Sequence, residues 1–409
     1  SPLLAAEFSS AEVTLNPSIS AGVVYDDNIF LDPVGEEYDI STIVGPGIDL
    51  TITGQSAEIG MTYNPAYNAY ARFPENNYWS HNANVDGWAE IVSGTRLEFS
   101  DAFVYTEDPL SETDTTVRRG REPYWTNTAD VGLVSNFGPE SVIELGYTFY
   151  TLENDDPTVE DNSYQEPRAL MTYWFSPNRY AVELEGTYTI TDFEVSEDFE
   201  VLDGRIRLTK RFGRRLDAYI EYDHLLTDYL DEGEDYQVYN PLVGFEWQEQ
   251  RNTRFAASFG YFYQDNEFSD DDDGIVGSIE TAYTWAEGST VTLLGDAGYD
   301  IASFGSENLG FNPYYSVSGT VVHPLTRRFV SSLFVGYRLN LYTDEDPDRE
   351  DVLWRAGAGL AYQALPWLAF QLDYLYQSLN SNVDTEDYTD NRAMLSVTLA
   401  PRQPVKLNR

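Results

Sequence analysis

Residues 214–226 read RRLDAYIEYDHLL and alternate between apolar and acidic side chains. The residues of one parity are apolar: Leu216, Ala218, Ile220, Tyr222 and Leu226. The other parity is acidic and contains Asp217, Glu221 and Asp223. Because successive side chains of a β-strand point to opposite faces, the stretch predicts a strand with one apolar face and one charged face.

The same pattern recurs along the whole chain, for example at 178–194, 251–265 and 366–381. Short turns such as FGRR and ALPW, with residues typical of tight hairpins, alternate with long acidic loops such as YQDNEFSDDDDG. The alternating segments are longer than the roughly 9–11 residues that cross a bilayer at a tilt. Strands of soluble propellers and sandwiches are nearer five residues. Long strands joined by alternately short and long connections are typical of a transmembrane barrel.

We therefore predict an all-β fold, a closed antiparallel transmembrane β-barrel with short periplasmic turns and longer acidic extracellular loops. The turns and loops indicate about twenty strands, with about eighteen as the alternative if two weak segments pair outside the wall. Residues 1–10 are predicted to form a short periplasmic segment, residues 11–400 the barrel and residues 401–409 a periplasmic tail. The start, SPLLAAEFSS, has no basic, apolar signal-peptide pattern, so we expect an export signal to have been removed.

Composition supports this interpretation. The formal net charge is −45, from 69 acidic and 24 basic residues, which excludes nucleic acid as a partner because phosphate binding needs Lys and Arg. The chain contains no Cys and no apolar run near the roughly 18–20 residues of a membrane helix. The apolar parity would face outer-membrane lipid. Aromatic residues near strand ends are predicted to form interfacial belts: Tyr25, Tyr105, Tyr150, Trp285, Trp367 and Tyr376.

The polar parity supplies the candidate pore lining. Its acidic members are Glu144, Glu183, Glu185, Asp217, Glu221, Asp223, Asp296 and Asp373. Its basic members are Arg168, Arg205, Arg207, Arg211, Arg338 and Arg355. The three arginines at 205–211 lie between acidic strands. They fit either a constriction with a transverse field or cross-strand pairs that stabilise the wall.

Two further features bear on transport. Trp88, Trp174 and Phe334 share the inward parity and are either platforms for stacking sugar rings or bulky lumen filler. The longest loop, 106–122, contains Arg118, Arg119 and Arg121 and is a candidate for folding inward as a constriction. A wide barrel needs such a restriction, or a periplasmic partner, to remain safe for the cell.

Catalysis has little support in the sequence. The three His residues, His81, His224 and His323, belong to no HExxH, GxSxG or phosphate-loop motif. His224 and Asp223 are adjacent in a strand and therefore point to opposite faces. The acidic run 270–273 lacks the spacing of a calcium loop. We expect neither an enzyme nor a cofactor nor a bound metal.

Several stretches resemble a known family. The segment GVVYDDNIF (22–30), the segment VGPGIDL (44–50), the segment YNPAY (63–67) and the ending NRAMLSVTLAP are similar to the putative β-barrel porin family associated with exopolysaccharide export. The resemblance implies a Gram-negative outer-membrane barrel and periplasmic export partners, with no catalytic residues. The resulting hypothesis is a porin-like pore that passes polysaccharide or another large polar solute. The alternatives are a passive, cation-preferring diffusion porin and a non-conducting structural barrel.

Overall fold

The computed structural model describes residues 11–109, 121–157, 159–176, 179–230, 233–249, 252–301, 310–342 and 349–407. The predicted N-terminal segment, residues 1–10, lies outside these ranges. The strands are β1 (Glu12–Asp26), β2 (Asp39–Thr53), β3 (Ala57–Tyr63), β4 (Ala66–Tyr70), β5 (Tyr78–Val92), β6 (Thr95–Thr106), β7 (Tyr124–Gly138), β8 (Ser141–Asn154), β9 (Asn162–Trp174), β10 (Tyr180–Phe193), β11 (Phe199–Phe212), β12 (Leu216–Tyr229), β13 (Tyr236–Glu249), β14 (Thr253–Asn266), β15 (Asp272–Ala286), β16 (Ser289–Asp300), β17 (Asn312–Pro324), β18 (Phe329–Tyr342), β19 (Arg349–Leu365), β20 (Leu368–Ser381), β21 (Tyr388–Leu399) and β22 (Val405–Lys406).

The strands form one closed antiparallel sheet. Each wall strand pairs with its neighbours in the chain, and β1 also pairs with β21, from Ile19↔Leu399 to Asp26↔Arg392. Segments β3 and β4 both pair with β2 and β5 and share one position in the wall. Strands β1 to β21 therefore supply 21 − 1 = 20 wall positions, which confirms the predicted barrel.

The tail of the chain adds a short strand at the closing seam. Val405 and Lys406 of β22 pair with Leu15 and Thr14 of β1. The ammonium of Lys406 also lies 2.6 Å from a carboxylate oxygen of Glu12. At its turn end, β1 therefore pairs with β22 on the side where β21 has already ended.

The three Asn-Pro pairs interrupt the sheet in different ways, because Pro has no N–H to donate. Asn64-Pro65 separates β3 from β4, and Gly45 opposite is needed because a Cβ there would lie 2.1 Å from the Pro65 carbonyl oxygen. Asn240-Pro241 lies within β13 and interrupts its pairing with β14 between Tyr239 and Leu242. Asn312-Pro313 begins β17. All three therefore lie at a break, an irregularity or an end of a strand.

The two faces of the wall differ as the alternation predicts. In β11 the outward side chains Leu202, Ile206 and Phe212 are 49%, 42% and 50% exposed. Their neighbours of the other parity include Arg205 and Arg207, which point to the lumen. Exposed apolar side chains on the outer face have lipid as their natural solvent.

Helical structure among the described residues is limited to one 3-10 turn, Pro74–Asn76. None of the described helices is long and apolar enough to cross a membrane.

The assignment of the two faces predicts opposite outcomes for a charge placed on each side of β11. Ile206→Arg puts a guanidinium into lipid near the middle of the strand, and we expect it to destabilise the folded barrel by about 2–4 kcal/mol. Thr209→Arg adds the same group to the lumen face and should stay close to wild type. Urea unfolding in lipid vesicles measures the difference. Equal losses for both variants would contradict the assignment.

Candidate functional site

The lumen wall at β10, β11 and β12 is built from paired charges. Arg205 donates to Glu183 at 2.9 Å and forms a second, closer ion pair with Glu185. Arg207 pairs closely with Glu221, which is 8% exposed. The strand register sets these contacts, because Glu185 is directly opposite Arg205 and Glu221 is directly opposite Arg207. Glu183 is two residues from Glu185 on the same face and reaches Arg205 diagonally. The sequence left two interpretations of these arginines open, a constriction with a transverse field and cross-strand pairs. The structure contains the cross-strand pairs in the wall.

Arg211, on the same face of β11, also lies over an aromatic ring. Arg211 is hydrogen-bonded to Asp217 at 3.0 Å and to Glu140 at 2.7 Å, and its guanidinium lies 4.1 Å from the ring centre of Trp174. Arg96 lies in the same way 4.4 Å from the ring of Trp88. Both tryptophans are on the inward parity, and each already has a cation on one face.

The remaining predicted lining residues are distributed around the wall. Arg168 lies 3.7 Å from Asp130, and Arg355 donates to Gln377 at 3.1 Å. Arg338 pairs closely with Asp300 and stacks 3.8 Å over the ring of Tyr314.

Three further candidates belong to other parts of the lumen. Glu144 lines a recess of about 470 Å³ together with Trp88 and Arg168. Asp373 lines a separate cavity of about 240 Å³ beside Arg392. Phe334 packs against the backbone of Gly336, where a Cβ would lie 3.0 Å from its ring. The predicted set is therefore spread over the whole wall and does not form one site.

The first long loop (27–38) folds into the barrel mouth. Ile29 and Leu31 are fully buried, and Leu31 packs with Leu353, Leu379 and Tyr388 on the inner wall. The loop is held by Asn28, whose side-chain amide donates to the carbonyls of Asp32 at 2.9 Å and Thr389 at 3.0 Å. The side-chain oxygen of Asn28 accepts from the Asp32 N–H at 2.9 Å. The loop therefore narrows the mouth on the side of the closing seam.

A buried charge cluster ties this loop to the long loop 106–122. Arg392 pairs with Asp26 at 3.0 Å and with Asp108 at 3.0 Å. Arg121, whose side chain is 4% exposed, lies 3.5 Å from Asp26 and donates to the Ile29 carbonyl at 2.7 Å. The described ends of the long loop thus reach the seam, whereas Arg118 and Arg119 lie outside the described residues.

One carboxyl group in this region is close to titration at neutral pH. Burial raises the pKa of Glu107, just beyond the end of β6, to about 7, and Arg121 opposes the shift. Because the pKa of Glu107 in the folded loop is raised above its ordinary value of 4.5, its contribution to the stability of the loop is fully present below about pH 4.5 and is lost as the pH rises through about 7.

An apolar cluster occupies the opposite side of the mouth. Phe311, just before β17, is fully buried against Tyr236, Phe262 and Tyr299, with ring centres 5.6, 5.8 and 5.1 Å away. Val201 and Val238 complete the cluster on the inner wall. Periodicity alone did not reveal it, because Phe311 lies outside a strand and the other members of the cluster come from separate strands.

Below that cluster lies a cavity of about 740 Å³ whose wall carries tyrosines and aspartates. Tyr150 and Tyr164 stack there with ring centres 5.1 Å apart, and Tyr314 donates a short hydrogen bond to Asp296. Of the predicted lining residues, Asp296 belongs to this cavity. The assignment of Tyr150 to a lipid-interface belt was wrong, since its even parity in β8 is opposite to that of the exposed Ile143 and Leu145. Closeness to the strand end does not determine the face.

The comparisons with known proteins agree with this architecture. The family model described as "Putative beta-barrel porin 2" matches residues 221–401. This match confirms the resemblance to β-barrel porins. The match covers less than half of the chain, and together with the closed sheet it supports a porin-like outer-membrane β-barrel. None of the curated proteins is significantly similar to it in sequence.

Solved structures share the barrel fold at low identity. The siderophore receptor PirA from Pseudomonas aeruginosa is 10% identical and aligns over 95% of this chain and 80% of its own, with a TM-score of 0.53. The ferric enterobactin receptor PfeA from the same organism is 8% identical, over 94% and 80%, with a TM-score of 0.52. A BenF-like porin from Pseudomonas fluorescens Pf-5 is 10% identical, over 97% and 100%, with a TM-score of 0.45. The likeness to the two receptors shows the fold alone.

The porin family and the fold favour a channel over an enzyme. In the described ranges, no group of three or more His, Asp or Glu side chains is arranged to hold a metal ion. His224 contacts Tyr239 on the outer face, with ring centres 4.8 Å apart.

The charge ladder predicts a change in ion selectivity. Arg205→Gln removes the cation that neutralises Glu183 and Glu185, so the porin should become more selective for cations. The reversal potential in a potassium chloride gradient measures this. Arg215→Gln is the matched control, because Arg215 is exposed at a turn and lies 3.6 Å from Glu249. Equal shifts of the reversal potential in both variants would show that the ion pairs of Arg205 do not influence permeating ions.

The folded first loop predicts a change in pore size. Asn28→Ala removes buried hydrogen bonds worth about 1–3 kcal/mol and should release the loop, which raises single-channel conductance. Asn266→Ala is the control, since its amide donates to Asp270 within its own loop at 2.8 Å. Unchanged conductance in a folded Asn28→Ala barrel would mean that the loop does not limit the pore.

Proposed function

We propose that this porin passes polysaccharide, or another large polar solute, across the outer membrane. The supporting observation is a closed twenty-strand wall whose inner face carries ion pairs at β10–β12 and tyrosines around a large recess. Barrels of about 16–18 strands already enclose an aqueous channel. The ion pairs at β10–β12 leave a wet stretch of wall that does not trap a passing polymer by strong net attraction.

The narrowed mouth supports dedicated transit of a selected solute. The first loop covers one side of the mouth, and the cluster around Phe311 covers the other. Both are held by buried contacts on the inner wall. A restriction of this kind lets a wide barrel remain closed to most solutes. We include in the proposal a periplasmic export partner that delivers the polymer to the turn end.

A passive, cation-preferring diffusion porin is the second candidate. Lumen carboxylates without a paired cation favour it, since the ion pairs at β10–β12 do not extend to Asp203 or Asp296 among the described residues. A structural barrel that does not conduct is the third, and the bulky, cation-covered Trp88 and Trp174 are compatible with it.

Planar-bilayer recording of the purified barrel separates these functions. The proposal predicts steady conductance that soluble polysaccharide interrupts in discrete events, whereas polyethylene glycol of equal size does so less often. Cation-selective conductance without such interruption would favour the diffusion porin. Heat modifiability on gels shows that the inserted barrel is folded. If neither the folded wild-type barrel nor the Asn28→Ala variant conducts, the structural function is supported and the proposal is overturned.

A further inference from the structure

The tyrosine-aspartate cavity has the size and position of a binding site within the lumen. Its volume of about 740 Å³ lies inside the range of about 300–1,000 Å³ that is usual for small-molecule sites. Residues of β8, β9 and β11 to β17 line it, so it lies on one side of the barrel. The apolar cluster around Phe311 lies at its loop end, and Tyr299 belongs to both.

Small residues in the wall create the recess. Ser258, Gly277 and Ser278 lie where β14 and β15 lose two steps of their pairing. Gly277 has φ 154°, and a Cβ there would lie 2.4 Å from the Ser258 carbonyl oxygen. The two serine hydroxyls lie 3.0 Å apart and present polar atoms in place of ladder bonds. A larger side chain on this inner face would fill the space that the cavity occupies.

The cavity carries negative charge that the protein does not neutralise. Asp300 is paired with Arg338, but neither Asp203 nor Asp296 has an ion pair within 4.0 Å among the described residues. Asp296 accepts a hydrogen bond from the Tyr314 hydroxyl, which leaves its charge in place. A cation, or a cationic group on a solute, is the complement of such a surface.

Buried polar atoms at the cavity lack partners within the protein. Asn240 is 8% exposed, lines the cavity, and its side-chain oxygen has no hydrogen-bond partner among the described residues. One carboxylate oxygen of Asp203 and one of the neighbouring Asp223 also lack a hydrogen-bond partner among the described residues. Because an unsatisfied buried acceptor is costly, these oxygens indicate a donor that the described protein does not supply. All three oxygens are hydrogen-bond acceptors, so they match a ligand with many N–H and O–H donors.

The tyrosines define the rest of the ligand. Tyr150, Tyr164, Tyr299 and Tyr314 line the cavity. Aromatic faces attract cations and pack on apolar faces, and their hydroxyls exchange hydrogen bonds with polyols. Acidic or phosphorylated sugars are disfavoured by Asp203 and Asp296. A flat aromatic cation lacks the hydroxyl groups that would satisfy the serines and Asn240.

We propose that this cavity binds a protonated amino sugar, as one unit of a chain with free amines. Ammonium groups of the sugar chain lie against Asp203 or Asp296, the ring hydroxyls bond to Asn240 and Ser278, and a tyrosine ring covers the sugar face. This inference rests on the proposed function, because it names the class of carbohydrate that the lumen selects.

The test is calorimetric titration of the full-length barrel in detergent with short glucosamine oligosaccharides at a pH that keeps their amines protonated. The same titration with N-acetylglucosamine oligosaccharides and with maltooligosaccharides removes the charge or the amine. We expect at least about tenfold tighter binding of the glucosamine oligomers, because hydrogen bonds to charged groups are the stronger class.

The double variant Asp203→Asn with Asp296→Asn should reduce that preference at least about tenfold. Its control is Glu144→Gln with Asp373→Asn, which removes the same number of lumen carboxylates at other recesses and should keep the preference. Heat modifiability on gels confirms that both variants are folded. If the variant misfolds, Ser278→Leu, which fills the recess without changing charge, tests the same site.

The outcomes separate the site from the proposed function. Equal affinity for the three oligosaccharides, or an equal loss in both double variants, overturns the amino-sugar site even if the barrel conducts. Selective binding by a barrel that is silent in bilayers keeps the site and overturns transport. Selective binding together with glucosamine-dependent interruption of the current supports both.

Discussion

The closure of the sheet at the β1–β21 seam is the constraint on which the rest of the molecule depends. A bilayer core offers no water to backbone N–H and C=O groups, so an open sheet edge in it is prohibitively costly. Pairing of Ile19–Asp26 with Arg392–Leu399 removes the two edges of a twenty-strand wall. The outer face then needs only apolar side chains, and the inner face is free to carry the charges and tyrosines on which transport would depend.

The two ends of the chain that resemble β-barrel porins meet at this seam. Asp27 of the YDDNIF stretch accepts hydrogen bonds from the backbone and side chain of Asn391 at 2.7 and 2.8 Å, and Asp26 pairs with Arg392. Asn28 and Ile29 then turn the chain into the mouth. A short sequence likeness therefore corresponds to one physical unit, which closes the barrel and positions the first loop.

Some charged side chains of the lumen are ion-paired with other side chains of the described wall, and others are not. At β10–β12 the arginines and acids of adjacent strands pair, which stabilises the wall and lowers its net field. At the cavity, Ser258, Gly277 and Ser278 leave space in the wall. Among the described residues, Asp203 and Asp296 have no paired cation and several buried acceptors lack donors. A solute crossing the barrel would meet a selective surface on one side and a neutralised one elsewhere.

The sequence by itself determined the class of fold, the approximate strand positions and the face of most side chains, because the period of two in a strand is a local property. It placed Arg205, Glu183 and Glu221 on one face correctly, and its error at Tyr150 came from inferring the face from nearness to a strand end. Tertiary structure alone decided which inward residues come together. Asp203 and Tyr314 are far apart in the chain, and the cavity that they share depends on barrel closure, wall curvature and the loss of pairing at Pro241 and Gly277. Those are long-range properties of the closed sheet, and no local pattern in the chain encodes them.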